Sequence, residues 1–278
     1  MRAVSALLGV GRASAYRPLV ARGRYYRRRE DAQVAAQIRA VIGTRASYGH
    51  RRVRAMVNRQ FGTRYNKKRI RRVMALWGWT LPRRGSRPSR PHTGLIRRPR
   101  PNERWCSDAL EIACWNREVA VVAFALDCHD RECLAACGAA GALLAADIQA
   151  LMRDAVASRF GDQRPEQPIQ WLSDNGSIYT ALDTVVVAEQ LGLEPITTPA
   201  ASPESNGMAE AFVWTLRRDY LDGADLSSAA VVLAQLPAWI ADYNTHAPHS
   251  ALNHRSPRQY RDELALRVVP GVSHESGD

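Results

Sequence analysis

The 278 residues are 46% hydrophobic and 24% charged, the composition of a globular chain that can bury a core. The five cysteines form no CxxC pair, so we expect neither a disulfide framework nor a cysteine zinc site. The uncharged run at residues 133–146 is too short to cross a membrane, and no secretory signal precedes it. We therefore expect a cytoplasmic protein without a membrane partner.

The net charge of +12 is unevenly distributed along the chain. Residues 1–101 contain 27 Lys and Arg against two acids, whereas residues 102–278 contain 12 against 25. A basic arm joined to an acidic body indicates that the arm binds a polyanion. The alternative is a basic half that only keeps the protein in solution.

Residues 1–20 predict a short apolar helix, a glycine turn and the start of a second helix. A segment this short cannot bury its own apolar face. We interpret it as a partial helix-turn-helix whose beginning lies upstream, or as an ordinary N-terminal helix.

Residues 31–81 predict three short helices. Residues 33–42 and 51–61 have apolar side chains at helical spacing, and a third helix follows the N-cap Asn66 with an inward stripe that ends at Trp77. A basic last helix is typical of a helix-turn-helix DNA-binding domain, although a bundle with a solvated basic face has the same pattern. The predicted DNA contacts are the basic side chains Arg51, Arg52, Lys67, Lys68, Arg69, Arg71 and Arg72.

Residues 82–101 contain five prolines, seven arginines and no acid. Proline at this density prevents a regular helix or strand, so the segment is predicted to be an extended basic linker that can also follow a phosphate backbone.

Residues 102–265 predict an α/β domain. Strands at 105–114, 119–127 and 133–137 are followed by a helix at 143–159, a strand at 170–173, a helix at 181–191, a strand at 194–198 and helices at 208–221 and 226–243. This order is that of a ribonuclease-H-like domain, in which helices flank a mixed sheet. Residues 266–278 are predicted to be a flexible tail.

Three carboxylates occupy positions that suit a metal site in this domain. Asp108 lies in the first strand, Asp174 ends a later strand before an Asn-Gly turn, and Glu210 opens a helix after 35 intervening residues. Two Mg²⁺ ions, which Mn²⁺ can replace, would need few carboxylates and would take further oxygens from a substrate phosphate. The alternative for each acid alone is a cap or a solvated surface group.

Other acids compete for a role at this site. Asp127 ends the second strand and is a candidate for supporting the metal ligands, and Glu204 is a weaker third ligand. Asp130 and Glu132 are interpreted as surface residues.

Two further side chains share the predicted face of the Glu210 helix. Trp214 and Arg217 follow the glutamate by four and seven residues. Arg217 is predicted to hold a phosphate and Trp214 to stack on an unpaired base, with a buried Trp214 as the alternative.

Several segments together resemble the OrfB-type transposases of bacterial insertion sequences, which are related to retroviral integrases. The similarity covers about residues 5–265, and the segments are YGHRRV at 48–53, RWCSD at 104–108, ALDC at 125–128, WLSDNGS at 171–177, SPESNGMAE at 202–210 and HSALNHRSPR at 249–258.

The resemblance implies an integrase catalytic core in which Asp108, Asp174 and Glu210 form the catalytic, metal-binding DDE triad. It also implies DNA strand transfer at inverted-repeat ends and in target DNA, a protein associated with the bacterial nucleoid, a homo-oligomer on DNA, and frameshift fusion to an upstream helix-turn-helix protein. Arg217 departs from the lysine usual in the family, and Trp214 stands where relatives are polar or basic.

Two alternatives to a transposase remain open from the sequence. One is a nuclease of the ribonuclease-H-like fold, which the basic arm disfavours. The other is a non-catalytic DNA-binding modulator of a fused transposase, which the complete acidic triad disfavours.

Overall fold

The structure is a computed structural model that describes residues 26–82, 98–197 and 207–268. The predicted partial helix-turn-helix at 1–20 lies outside these residues, as do Glu204 and most of the predicted linker and tail. The chain divides into two compact units, Met1–Thr44 with Gly49–Leu81, and Arg45–Tyr48 with Pro82–Asp278.

The first unit contains three helices: α1, Asp31–Ile42; α2, His50–Gln60; and α3, Lys67–Leu76. Each contributes fully buried apolar side chains, among them Val34, Val53 and Ile70, because their spacing places them on one face of each helix. Helix α3 begins where the Asn66 side chain accepts a hydrogen bond from the Arg69 N–H. The prediction that the inward stripe of α3 extends to Trp77 is wrong.

Trp77 lies just after α3 and is 39% exposed. Its ring stacks on Trp79 with a centroid separation of 6.0 Å, so the helix ends before the side chain can turn into the core.

The second unit contains a five-stranded sheet of β1, Arg104–Ala113; β2, Val119–Asp127; β3, Cys133–Ala140; β4, Ile169–Ser173; and β5, Leu193–Thr197. The strand order is β3-β2-β1-β4-β5, with β1, β2 and β3 antiparallel and β4 parallel to both β1 and β5. Antiparallel strands can be joined by tight turns, whereas the parallel pairs need helical crossovers.

Helices cover both faces of this sheet. Helix α4, Ala145–Phe160, packs with Trp105 and Trp171 on one face, followed in the chain by α5, Ser177–Thr180, and α6, Leu182–Gln190. Helix α7, Gly207–Leu216, and helix α8, Ala229–Thr245, pack with Phe124 on the other face. The predicted mixed sheet flanked by helices is confirmed.

The end of this unit contains elements that the sequence did not predict. A π-helical turn, Arg217–Leu221, continues α7, and a 3₁₀ turn, Ser250–Leu252, precedes helix α9, Pro257–Val268. Within the described residues, no helix is long and apolar enough to span a lipid bilayer.

Candidate active site

The two aspartates of the predicted triad lie at equivalent positions on neighbouring parallel strands. The ladder between β1 and β4 ends with the pair Cys106 and Leu172. Asp108 and Asp174 each follow that pair by two residues. Since parallel strands advance by the same rise per residue, both aspartates lie at the same level, at the edge where the β1–β4 ladder ends.

Glu210 reaches this edge from the helix above it. In the ladder, Asp108 lies opposite Phe124, so the two side chains project from the same face. Phe212 of α7 packs on Phe124 with a ring-centroid separation of 4.4 Å. Glu210 precedes Phe212 by two residues and is exposed, while Phe212 and Leu216 are buried. The aromatic contact therefore anchors the turn of helix that carries the glutamate above Asp108.

The pKa of Asp108 responds to the charges of both other acids. Burial raises the pKa of Asp108 above its ordinary value, and the charges of Asp174 and Glu210 raise it further, whereas a hydrogen bond from the Ala109 N–H lowers it. Like charges act in this way only when they are close to the titrating group. Three acids that are distant in sequence thus form one acidic cluster, which we call the triad.

Two members of the triad open onto a cavity of about 400 Å³, whose lining does not include Asp174. Its walls include Asp108 and Glu210, and also Glu111, Trp214 and Arg217. Trp214 is 49% exposed, which excludes the alternative of a buried core tryptophan. Arg217 begins the π-helical turn, an irregularity that is frequent at functional sites. Aromatic, cationic and acidic side chains therefore surround one open cavity.

The triad is not a preformed metal cage. In the described part of the chain, no three His, Cys, Asp or Glu side chains gather closely enough to hold a metal ion. One oxygen of Asp108 accepts a hydrogen bond from the Ala109 N–H at 2.8 Å, and one oxygen of Asp174 accepts from the Gly176 N–H at 3.0 Å. The donor set nevertheless suits a hard divalent cation, because three carboxylates of like charge converge and a cation would offset their repulsion.

The remaining acids of the sheet are placed differently from the prediction. Asp127 lies opposite Trp105 in the ladder and is fully buried, on the face away from Asp108, so it does not support the triad. Asp130 and Glu132 are also buried rather than on the surface. All three surround Arg159 of α4, whose guanidinium lies 2.9 Å from Asp130. We call these three acids and Arg159 the buried cluster.

Sequence reasoning missed two polar side chains next to the triad. Ser107 and Tyr179 are both buried, and their hydroxyl oxygens are 3.0 Å apart. The available signals were their positions, since Ser107 directly precedes Asp108 and Tyr179 follows Asp174 by five residues.

The predicted DNA contacts of the first unit differ in how exposed their side chains are. Arg72 is buried and donates two hydrogen bonds, of 2.7 and 2.6 Å, to Asp31. These bonds lower the pKa of Asp31 and join α3 to α1. The prediction of Arg72 as a DNA contact is therefore wrong, because its charge is used inside the domain. Arg69 is partly engaged, with Glu30 at 2.8 Å.

The other basic residues form an exposed surface. Arg51, Lys67, Lys68 and Arg71 are exposed, and Arg52 is half-buried. Burial lowers the pKa of His50, and the charges of Arg71, Arg51 and Lys67 lower it further. The N-terminal turns of α2 and α3 therefore bring their cations together around His50, and we call this group the His50 surface.

Comparison with known proteins extends these observations. Two models of the Integrase core domain match residues 98–203 and 191–257, and a model of the HTH-like domain matches residues 28–87. The structure of the simian T-cell lymphotropic virus intasome in complex with PP2A regulatory subunit B56 gamma aligns with a TM-score of 0.52 and 14% identity, over 88% of this chain and 80% of that chain. This likeness concerns the fold alone.

Curated relatives are more similar in sequence. "Transposase InsD for insertion element IS2A/D/F/H/I/K" of Escherichia coli is 42% identical over 257 residues, which are 90% of this chain and 84% of the relative. The InsD transposase of the IS2 element on the F plasmid of Escherichia coli strain K12 matches to the same extent. The chain belongs to this family of insertion-element transposases, in which an HTH-like domain precedes an integrase core domain.

Proposed function

We propose that this transposase cuts the ends of its insertion element and joins the freed 3′-hydroxyl to target DNA at the triad of Asp108, Asp174 and Glu210. The observation that carries the proposal is geometric: Asp108 and Asp174 each lie two residues past the last pair of the β1–β4 ladder, and Glu210 lines the same cavity as Asp108. The direction of the Asp108 pKa, raised first by burial and further by the charges of Asp174 and Glu210, agrees with this arrangement. Asp108 and Glu210 on the wall of an open cavity, with Arg217 beside them, suit the binding of a phosphodiester and its counter-ions.

The triad is proposed to hold two Mg²⁺ ions, which Mn²⁺ can replace. When bound, such ions align the attacking and leaving oxygens and stabilise the charge of the phosphoryl transition state. The three carboxylates would supply the protein ligands, and the substrate phosphate and water would supply the rest.

Trp214 and Arg217 are proposed to orient the DNA end. The Arg217 guanidinium suits a bidentate contact to the phosphate beside the scissile bond. The half-exposed ring of Trp214 suits stacking on an unpaired terminal base. Both line the cavity with Glu210, so they would fix the phosphate and the base relative to the triad.

The His50 surface is proposed to bind the DNA backbone. Burial lowers the pKa of His50, and the exposed cations Arg51, Lys67 and Arg71 are close enough to lower it further. Replacing Lys67 by Ala should weaken binding to all duplexes alike and reduce the slope of log K against log salt by about one. Lys68 is exposed on the same turn and is proposed to contribute, with Arg52 and Arg69 in lesser roles.

The experiment for the catalytic proposal uses Asp174→Asn in the full chain. A labelled duplex that carries the terminal sequence of the element encoding the chain is incubated with protein and Mg²⁺. The variant should retain DNA binding and lose cleavage and joining. Asp183→Asn is the matched control, since Asp183 is an exposed aspartate on α6 and is not part of the triad. Equal activity of Asp174→Asn and the native chain would contradict the assignment.

A nuclease of the same fold is separated by its products. When the duplex is supplied already nicked at the element end, a transposase joins the 3′-hydroxyl to a second DNA, whereas a nuclease yields only hydrolysis. A non-catalytic modulator would bind the duplex and yield neither product.

Fusion to an upstream helix-turn-helix protein and assembly of several copies on DNA are further proposals that rest on the family resemblance. Comparing the chain alone with the chain fused to any open reading frame directly upstream would test the first. Light scattering of the protein–DNA complex would test the second.

A further inference from the structure

Asp108, in the middle of β1, and Asp174, just after β4, both lie beyond the last pair of the ladder between these two strands. The last pair is Cys106 and Leu172, one residue before Ser107 and Ser173. Backbone hydrogen bonds fix the spacing of two strands only as far as the ladder extends. The separation of Asp108 from Asp174 therefore requires another constraint.

A buried hydrogen bond between side chains lies at this point. The hydroxyls of Ser107 and Tyr179 are 3.0 Å apart and connect residues 72 positions apart in sequence. Ser107 is fully buried and Tyr179 is 5% exposed. Ser107 is joined directly to Asp108, and Tyr179 belongs to α5, which begins three residues after Asp174. The bond thus connects the two segments that carry the aspartates.

The surroundings of Tyr179 couple it closely to Asp174. A β-carbon built on Gly176 would lie 2.9 Å from an oxygen of Asp174 and 3.5 Å from the Tyr179 ring. Tyr179 also lines a cavity of about 740 Å³ with Trp171 and Ser173. Packing around the ring is therefore incomplete, and the hydroxyl bond provides a directional restraint that packing leaves out.

The hydroxyl remains protonated in neutral solution. Burial raises the pKa of Tyr179 well above its ordinary value, the bond to Ser107 lowers it, and the charges of Asp108 and Asp174 raise it again. The last two effects place the phenol within electrostatic range of both carboxylates.

We propose that Tyr179 is a positioning residue, which acts through Ser107 to fix the separation of Asp108 and Asp174 for binding of a divalent cation. The inference rests on the proposed function of the triad. Groups that hydrogen-bond behind a metal site commonly determine ligand orientation, and their loss weakens the site without removing a ligand.

The test measures Mn²⁺ binding to the full chain without DNA, by the electron paramagnetic resonance signal of the free ion. Tyr179→Phe and Ser107→Ala should each raise the Mn²⁺ concentration for half-saturation about tenfold. The double variant should be no worse than either single variant, because both changes remove the same bond.

Matched controls distinguish this role from a general loss of packing. Tyr220→Phe removes a hydroxyl that donates to Asp242 at 2.8 Å, and Ser256→Ala removes a fully buried hydroxyl that caps α9. Both should lower the melting temperature and leave Mn²⁺ half-saturation unchanged. DNA cleavage by Tyr179→Phe should recover as Mn²⁺ is raised.

The outcomes separate this inference from the proposed function. If the native chain binds Mn²⁺ and cuts element ends, but Tyr179→Phe and Ser107→Ala have native half-saturation, the positioning role is overturned while the triad stands. Additive losses in the double variant would also overturn it. If the native chain neither binds Mn²⁺ nor cuts DNA, the proposed function itself fails.

Discussion

The two acidic groups of the sheet have the same residue types and opposite surroundings. In the buried cluster, Asp127, Asp130 and Glu132 are at most 2% exposed and face the guanidinium of Arg159. In the triad, Asp174 and Glu210 are exposed, and their charges add to the burial that raises the pKa of Asp108.

The difference lies in the source of the compensating cation. Arg159 supplies it from within the fold, and Arg258 and Arg261 of α9 also bind Glu132, so the cluster joins α4 and α9 to the sheet. In the described residues no arginine or lysine forms a salt bridge with Asp174 or Glu210, so these two acids present their charge outward. Acids with an internal cation stabilise the fold, whereas acids without one can bind an external cation.

The largest expected effect follows from removing the internal cation. Arg159→Met should lower the free energy of unfolding by about 3–5 kcal/mol, because buried Asp127 and Asp130 lose their compensating charge, whereas Glu132 keeps Arg258 and Arg261. Urea denaturation measures this. Arg153→Met, an exposed arginine on the same helix, is the control and should change stability by less than about 0.5 kcal/mol. Equal effects of the two substitutions would show that the buried cluster is not held by its arginine.

The pH dependence of stability tests the buried cluster further. Burial, with a contribution from Asp130, raises the pKa of Asp127 to about 6 against the opposing charge of Arg159. A raised folded-state pKa means that the folded protein binds this proton more tightly than the unfolded chain does. The contribution of Asp127 to stability is therefore fully present below pH 4 and is lost as pH rises through 6.

Asp127→Asn should remove this dependence. Relative to the native chain, the free energy of unfolding of the variant should rise between pH 4 and pH 6 by up to about 3 kcal/mol and then remain level. Urea titrations at several pH values provide the measurement. A difference that is independent of pH would mean that Asp127 is ionised in the folded protein throughout this range.

At the triad, an equally small change should affect activity instead of stability. Gly176→Ala places a β-carbon against the carboxylate of Asp174, which can rotate away at little cost to folding. DNA cleavage should fall about ten- to a hundredfold, since misplacing a reacting group has effects of this size. Ser177→Ala, at an exposed neighbouring position, should cleave at the native rate. Native cleavage by Gly176→Ala would show that the orientation of Asp174 is unimportant.

The smallest effect has the opposite sign from that at Arg159. Glu210→Gln should raise the free energy of unfolding in metal-free buffer by less than about 1 kcal/mol, because it removes a charge that repels Asp108. Glu132→Gln, in the buried cluster, should lower it. If both substitutions destabilise the protein, the charge of Glu210 is not uncompensated in the folded state.

The sequence predicted those features that depend on local periodicity. Val53 and Ile70 were placed in the core because apolar spacing reports burial, and the sheet strands followed from the same rule. Arg72 and Asp130 could not be placed, because their partners Asp31 and Arg159 lie 41 and 29 residues away and a single sequence does not show which charges pair. Helix α9 was missed because salt bridges from Arg258 and Arg261 to Glu132 contribute to holding it, and a single sequence does not show this pairing.

For the site, spacing selected Asp108, Asp174 and Glu210, and the shared cavity of Trp214 and Arg217 agrees with their helical spacing from the glutamate. The burial of Asp127 could not be predicted, since the sequence does not indicate which face of a fully buried strand lies against a cation. The positions of Ser107 and Tyr179 near the two aspartates were visible in the sequence, but the bond between them depends on tertiary packing, which the sequence does not show.

Anomalous X-ray scattering from Mn²⁺ in crystals of the full chain addresses the central claim most directly. Manganese should bind between the carboxylates of Asp108, Asp174 and Glu210, while the acids around Arg159 remain free of metal. Manganese bound beside Arg159, or at a place that contacts none of the three triad carboxylates, would contradict the account.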